Sequence, residues 1–220
     1  MVIVLILGIL IAASAVWILS PFQDRSSAAY REWERDRQDT FAAATRTSAA
    51  IFSSEFKFDS VELVHIGPGK AYFSWWGHLL LRLRGSGKTP DEDLALSILA
   101  DFSDYPVNRW KAGFGGYTPF PKLDIFRAYE VEYFDTEGRF MRRIPLKSTE
   151  ESRHALLEVL REWVRYPDRF GTYKFFSVNC VGLMDALLVE ARIFPRSLEK
   201  YPIWPWDLRR LISEAGVLDE

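Results

Sequence analysis

The chain has 220 residues, 48% hydrophobic and 15% aromatic, enough apolar surface for one packed core plus accessory segments, which excludes extended disorder. Its net charge of -2, with both signs interspersed, gives no electrostatic footprint for nucleic acid. The single cysteine, Cys180, excludes an internal disulfide and leaves one free thiol to be explained.

Residues 1–20, MVIVLILGILIAASAVWILS, carry no charged side chain. A run of about 20 apolar residues is what a bilayer core requires, so a transmembrane anchor is expected. A cleaved signal peptide competes, because AASA at 12–15 offers small residues for cleavage, and a buried core helix is the third reading. No Lys or Arg precedes the run, and Trp17, Ile18 and Leu19 carry it past the candidate cut, which favours the uncleaved anchor. Arg25, Arg31, Arg35 and Arg37 follow it, and the positive-inside rule taken literally places the bulk of the chain in the cytoplasm. Charge alone therefore leaves the topology open.

Residues 28–51 are rich in Ala, Arg and Glu and lack Gly and Pro, so they read as a helix, a juxtamembrane stalk or a lid packed on the domain. Glu32 with Arg35 and Glu34 with Arg37 are spaced to pair along it. The folded domain is expected from Phe56, giving an anchor at 1–20, a juxtamembrane helix at 21–55 and a domain at 56–220. VELVHIG (61–67) and AYFSWWGHLLLRLRG (71–85) read as strands joined by a turn at GPGK, and DLALSILADF (93–102) as a third strand. Residues 106–121 read as a long loop. IFRAYEVEYF and RFMRRIPL then read as a hairpin across DTEGR. STEE (148–151) reads as a capping box with Ser148 as cap, opening a helix to Tyr166 with Leu156, Leu157, Leu160 and Trp163 on its buried stripe. A second helix is expected from Cys180 to Arg192, and YPIWPWDLRRLI suggests a proline-marked turn into a short last helix. The class is α+β, mostly antiparallel, with helices gathered toward the C-terminal half.

RGSGKT (84–89) follows a strand like a phosphate-binding loop, but the glycine required five residues before GK is Arg82, and acidic residues follow Pro90. A surface turn is expected and nucleotide binding rejected. His65, His78 and His154 are far apart, with no metal-ligand spacing, and His154 reads as a surface residue; no metal and no cofactor are implied. No G-x-S-x-G elbow is present. Cys180 is the remaining nucleophile. A first-turn position on a helix favours a thiolate, and Asn179 before it is a candidate cap or oxyanion donor. His78, after Gly77 on a strand pattern and sharing a face with Ser74, Trp76 and Leu80, is the better candidate base. The bland reading is inert packing for both residues.

SWWGHLLLRLRG, then AYEVEYF…RFMRRIPLKSTEESRHALLEVL, then YKFFSVNCVGLMDALL resembles the Lnb-type domain, the periplasmic domain of bacterial lipoprotein N-acyltransferases, over residues 61–218. That domain is similar to a circularly permuted papain-like fold in which the histidine precedes the cysteine. The lecithin retinol acyltransferase family shares this order and an Asn-Cys helix start. The resemblance implies Cys180 as nucleophile, His78 as general base and acid, and Asn179 beside them; His65, Glu130 and Tyr72 remain open as the orienting residue. It also implies a single-pass protein of the bacterial inner membrane, its domain in the periplasm, transferring acyl groups through a thioester on lipoprotein or phospholipid substrates. A cysteine hydrolase of the same fold and a non-catalytic anchored binding module are the alternatives. Trp75, Trp76, Trp110, Phe114, Tyr117 and Phe120 are candidates for an acyl groove or an interfacial belt, with core packing the competing role.

Overall fold

A computed structural model describes residues 25–70, 74–175, 177–196, 212–213 and 216–219. The predicted anchor at 1–20, Tyr72, and nearly all of the segment expected to form the last helix lie outside the described residues. Among the described residues no helix is long and apolar enough to cross a membrane.

Helix α1, Ala28–Ser48, begins where the Ser27 hydroxyl accepts the Tyr30 amide at 3.1 Å. It is docked on the domain: Arg37 forks onto Asp101 at 2.8 and 3.0 Å, and the Phe41 ring lies 4.3 Å from that of Phe120. The predicted Glu34–Arg37 pair forms at 3.4 Å, a looser contact than the Asp101 fork.

Five strands, β1 (Ser60–Ile66), β2 (His78–Arg84), β3 (Leu94–Ala100), β4 (Pro119–Ile125) and β5 (Met141–Leu146), form one antiparallel sheet in the order β4-β3-β2-β1-β5. The second strand starts seven residues later than its apolar pattern suggests. Gly77 takes a φ of 82°, and its amide closes a turn on the Ser74 carbonyl at 3.1 Å, so His78 opens the strand instead of sitting within it. Ser74 and Trp76 therefore lie in a turn, and of the predicted face-mates only Leu80 shares the strand with His78.

The loop expected at 106–121 contains helix α2, Arg109–Phe114, because Asn108 Oδ1 accepts the Trp110 and Lys111 amides. Its last residues belong to β4. The predicted hairpin is not formed. Residues 126–136 are helical, α3 (Phe126–Tyr129) running into a π-turn segment at Glu130–Thr136, and β5 pairs with β1. The stretch alternates well enough to read as a strand, yet Phe126, Tyr129 and Tyr133 at helical spacing are the residues it buries.

The sheet is covered on both faces. Leu79, Leu81, Leu83, Leu96 and Ile98 pack against α4 (Glu150–Arg165) and α5 (Cys180–Glu190). On the other face Val64, Ile66, Leu80 and Ala95 pack against Phe126, Tyr129 and Tyr133. The predicted α4 stripe is buried in full, each such side chain being worth about 1.5–3 kcal/mol. The cap of α4 is Thr149, one residue after Ser148: its hydroxyl accepts the Ser152 amide at 3.1 Å, and Ser152 reciprocates at 2.9 Å. The RGSGKT turn is satisfied internally, because Asp93 Oδ1 accepts the Gly85 amide at 2.9 Å and the Gly87 amide at 3.4 Å. Those donors would have to be free in a phosphate loop.

Candidate active site

Cys180 is the first residue of α5, with Asn179 as its cap. Asn179 Oδ1 accepts the Val181 amide at 3.0 Å and the Gly182 amide at 2.9 Å, while its Nδ2 donates to the Phe175 carbonyl at 3.0 Å. Nδ2 carries two N–H groups, and the Phe175 bond uses one of them. Asn179 caps α5, one of the two roles expected of it, and one Nδ2 N–H is left over for the other, that of an oxyanion donor.

The sulfur is buried among the apolar residues between the sheet and α4–α5. Burial pushes the thiol up to about 11, although the backbone amides of Val181, Leu79 and Cys180 itself, and the charge of Arg139, pull it down. Position at a helix start alone predicts a thiolate. Here desolvation exceeds it, and the resting protein holds a thiol.

His78 lies on the opposite face of β2 by strand alternation, with Leu80 and Ser97. Its Nε2 and the Ser97 hydroxyl are 2.7 Å apart, and its ring centroid is 5.9 Å from that of Tyr133. Burial, then the charge of Arg139, pushes the imidazole down to about 3, so it is neutral at pH 7. Among the described residues no hydrogen bond joins His78 to Cys180. The two groups are nevertheless placed at the same end of the sheet. The amide that faces the sulfur belongs to Leu79, the residue after His78, and Arg139 and Tyr133 interact electrostatically with the cysteine from the histidine's side.

The polar side chain that meets the His78 ring is Ser97, which was not among the expected orienters. A lone hydroxyl in the apolar strand LALSILA, fully buried, was the available signal. Of the expected orienters, Glu130 is committed to Arg143 at 2.7 Å and Arg127 at 3.6 Å. His65 is buried against Phe140, with ring centroids 5.5 Å apart, and burial lowers its pKa. Neither bonds His78. His154 is exposed, as expected.

Arg139 is also unforeseen. It is buried, its Nε donates to the Gly67 carbonyl at 2.7 Å, and its guanidinium lies 5.0 Å from the Tyr133 ring centroid. The aromatic set divides by role. Tyr117 is buried, its hydroxyl donating to Asp104 at 2.9 Å, and Phe120 packs on Phe41. Trp75, Trp110 and Phe114 are exposed, the last two stacked at 5.2 Å on α2. Trp76 packs on Phe175, whose amide donates to Ala112 of the same helix.

Residues 48–215 match the model of a family described as the Lnb N-terminal periplasmic domain, and the chain belongs to that family. The match begins before the Phe56 expected to open the domain, and the description points to an extracytoplasmic location. No curated protein matches the chain, and no solved structure matches it.

Proposed function

We propose that this member of the Lnb N-terminal periplasmic domain family is an extracytoplasmic acyltransferase, held at the bacterial inner membrane by residues 1–20, that works through a thioester on Cys180. The fold is read as a permuted papain-like one, with the histidine strand ahead of the cysteine helix. In the first half-reaction Sγ bonds to the acyl carbon of a lipid or lipoprotein ester, its proton passes to His78, and the carbonyl electron pair moves onto oxygen. Collapse breaks the carbon–oxygen ester bond, and His78 returns the proton to the departing alkoxide. An amine then attacks the thioester carbon, His78 takes the amine's proton, and collapse breaks the carbon–sulfur bond, leaving an amide while His78 returns the proton to the departing Sγ.

The observation that carries this reading is the Leu79 amide facing the sulfur. Standard bond lengths put that nitrogen roughly 2.4 Å from the His78 Cα, so the imidazole hangs from the atom beside the sulfur's hydrogen-bond donor. The described conformation is then a resting state, with the imidazole held by Ser97, and catalysis requires it to turn toward Cys180. The exposed Trp75, Trp110 and Phe114 suit a domain that works against a lipid surface.

A second reading is a binding module that keeps the fold without chemistry; the neutral thiol and imidazole on opposite faces of the sheet favour it. The test is incubation of the full chain with phospholipid vesicles and an amine acceptor, followed by mass spectrometry. An acyl adduct on Cys180 that hydroxylamine removes, and that is lost in Cys180→Ala and His78→Ala, is expected. Full activity in both variants would leave the binding module.

A further inference from the structure

A thioester mechanism needs a hydrogen-bond donor for the oxygen that becomes negative when sulfur attacks. The usual donors would be the free amides at the start of the cysteine helix. In this chain they are engaged. The Val181 and Gly182 amides bond Asn179 Oδ1, the Leu183 amide bonds the Asn179 carbonyl at 2.9 Å, and the Cys180 amide reaches the Tyr173 phenol oxygen and its own sulfur. One of the two Asn179 Nδ2 N–H groups is taken by the Phe175 carbonyl, and that bond fixes the amide in its capping position.

One side-chain nitrogen at this end of the sheet has no partner at all among the described residues. Arg139 bonds the Gly67 carbonyl through Nε and Glu137 through Nη1 at 3.0 Å, but its Nη2 is buried without a partner. It is the one buried side-chain polar atom among the described residues left in this state. A buried donor without an acceptor costs about 1–3 kcal/mol, a cost that an arriving acceptor removes. The side chain is fixed in place by the Gly67 bond and by the Tyr133 ring under its guanidinium, and Tyr133 in turn contacts the His78 ring. Its charge is felt at both Cys180 and His78.

We propose that Arg139 Nη2 is the oxyanion donor of this site, binding the carbonyl oxygen of the acyl group and stabilising the negative charge it acquires in the tetrahedral intermediate. The proposal rests on the thioester reading above. Nη2 donates one N–H to the oxygen; the guanidinium keeps its proton, and nothing is oxidised or reduced.

The experiment compares two reactions of the same thiol in the full chain, acylation by a p-nitrophenyl ester of a medium-chain fatty acid and alkylation by iodoacetamide. Only acylation develops an oxyanion. In Arg139→Gln the acylation rate constant is expected to fall about 100- to 1,000-fold, the range seen when such a donor is removed. Alkylation is expected to stay within about threefold and the KM for the ester to change little, with Arg139→Lys intermediate. A parallel fall in acylation and alkylation would confine Arg139 to structure or to its charge on the thiol and overturn the proposal, and an unchanged acylation rate would also overturn it. If Arg139→Gln does not fold, the wild-type adduct of a fatty aldehyde with Cys180 decides. Its hemithioacetal oxygen is expected about 3 Å from Nη2, and an oxygen placed elsewhere overturns the assignment. Wild-type protein that forms no acyl-thioester defeats the catalytic reading itself, and this proposal with it.

Discussion

The protonation state of Cys180 is the most direct point at which the site can be checked, because the chain has one cysteine and any thiol reaction reports that residue alone. The perturbation is pH. Burial raises the thiol from its ordinary 9.0 to about 11. At pH 8 an unperturbed thiol of that kind is about one-tenth ionised, whereas one at 11 is ionised to about one part in 1,000, a roughly 100-fold loss of nucleophile. Alkylation by iodoacetamide, followed by intact mass from pH 6 to 11, is expected to accelerate about tenfold per pH unit up to about pH 10 and to bend only as pH approaches 11. The guanidinium-unfolded chain is expected to level off above pH 9. The shape of the profile is the readout, since restricted access to a buried sulfur slows every point equally. A native profile that reaches its plateau by pH 7 would mean a thiolate, and the argument that desolvation prevails here would be wrong.

The same two groups set a stability window. His78 is held neutral, its pKa pushed from 6.5 to about 3, so the unfolded chain binds the extra proton as pH falls and stability is lost from about 6.5 downward. Cys180 keeps its proton longer when folded, so stability is lost as pH rises from 9 toward 11. Each arm is expected to amount to about 2–3 kcal/mol, the histidine's reduced because the residue keeps some exposure. Denaturant titrations should show the alkaline arm disappearing in Cys180→Ala; an unchanged slope there would assign it to other groups. Asn179→Ala should lower stability by about 1–2 kcal/mol by uncapping α5. Asn179→Asp keeps the acceptor and should lower it less, with acylation retained; loss of acylation at native stability would assign the oxyanion role to the Asn179 amide. Arg82 is buried between Asp93 at 2.8 Å and Glu62 at 3.3 Å, and Arg82→Met strands both carboxylates. Thermal and denaturant unfolding should show a loss of about 3–5 kcal/mol, and a loss under 1 kcal/mol would mean the carboxylates find other partners.

What was legible in the sequence follows the strength of each local signal. The α4 stripe could be read because one buried face imposes a helical period. The first three strands, buried on both faces, could be read as short apolar runs between turn residues, and the α5 start through its Asn179 cap. Residues 126–136 could not, since aromatic and β-branched residues at alternating positions satisfy a strand template while Phe126, Tyr129 and Tyr133 also satisfy a helical one. Only the sheet face they cover decides. The site shows the same division. Cys180 and His78 are rare residues in marked local contexts. Ser97 and Arg139 act through partners 19 residues away and 72 residues away in sequence, and no local pattern announces them.

The disagreement over the thiol is one of magnitude. A helix start favours a negative charge by typically 0.3–1 kcal/mol, and by about 2 kcal/mol in partly buried geometries. Raising the thiol from 9.0 to about 11 corresponds to a net of about 3 kcal/mol in the other direction, after the three amides and Arg139 have acted. Desolvation therefore outweighs every favourable term around this sulfur. A sequence shows the helix start and gives no measure of how much apolar wall surrounds it. The apolar cluster shared by the sheet, α4 and α5, of which Cys180 is a member, supplies that wall. For the thioester reading this means the proton has to leave Cys180 in the same step in which sulfur meets the acyl carbon, with neutral His78 as its acceptor. An imidazole kept near 3 takes that proton only where the developing oxyanion charge compensates it, which ties the basicity of His78 to the presence of substrate.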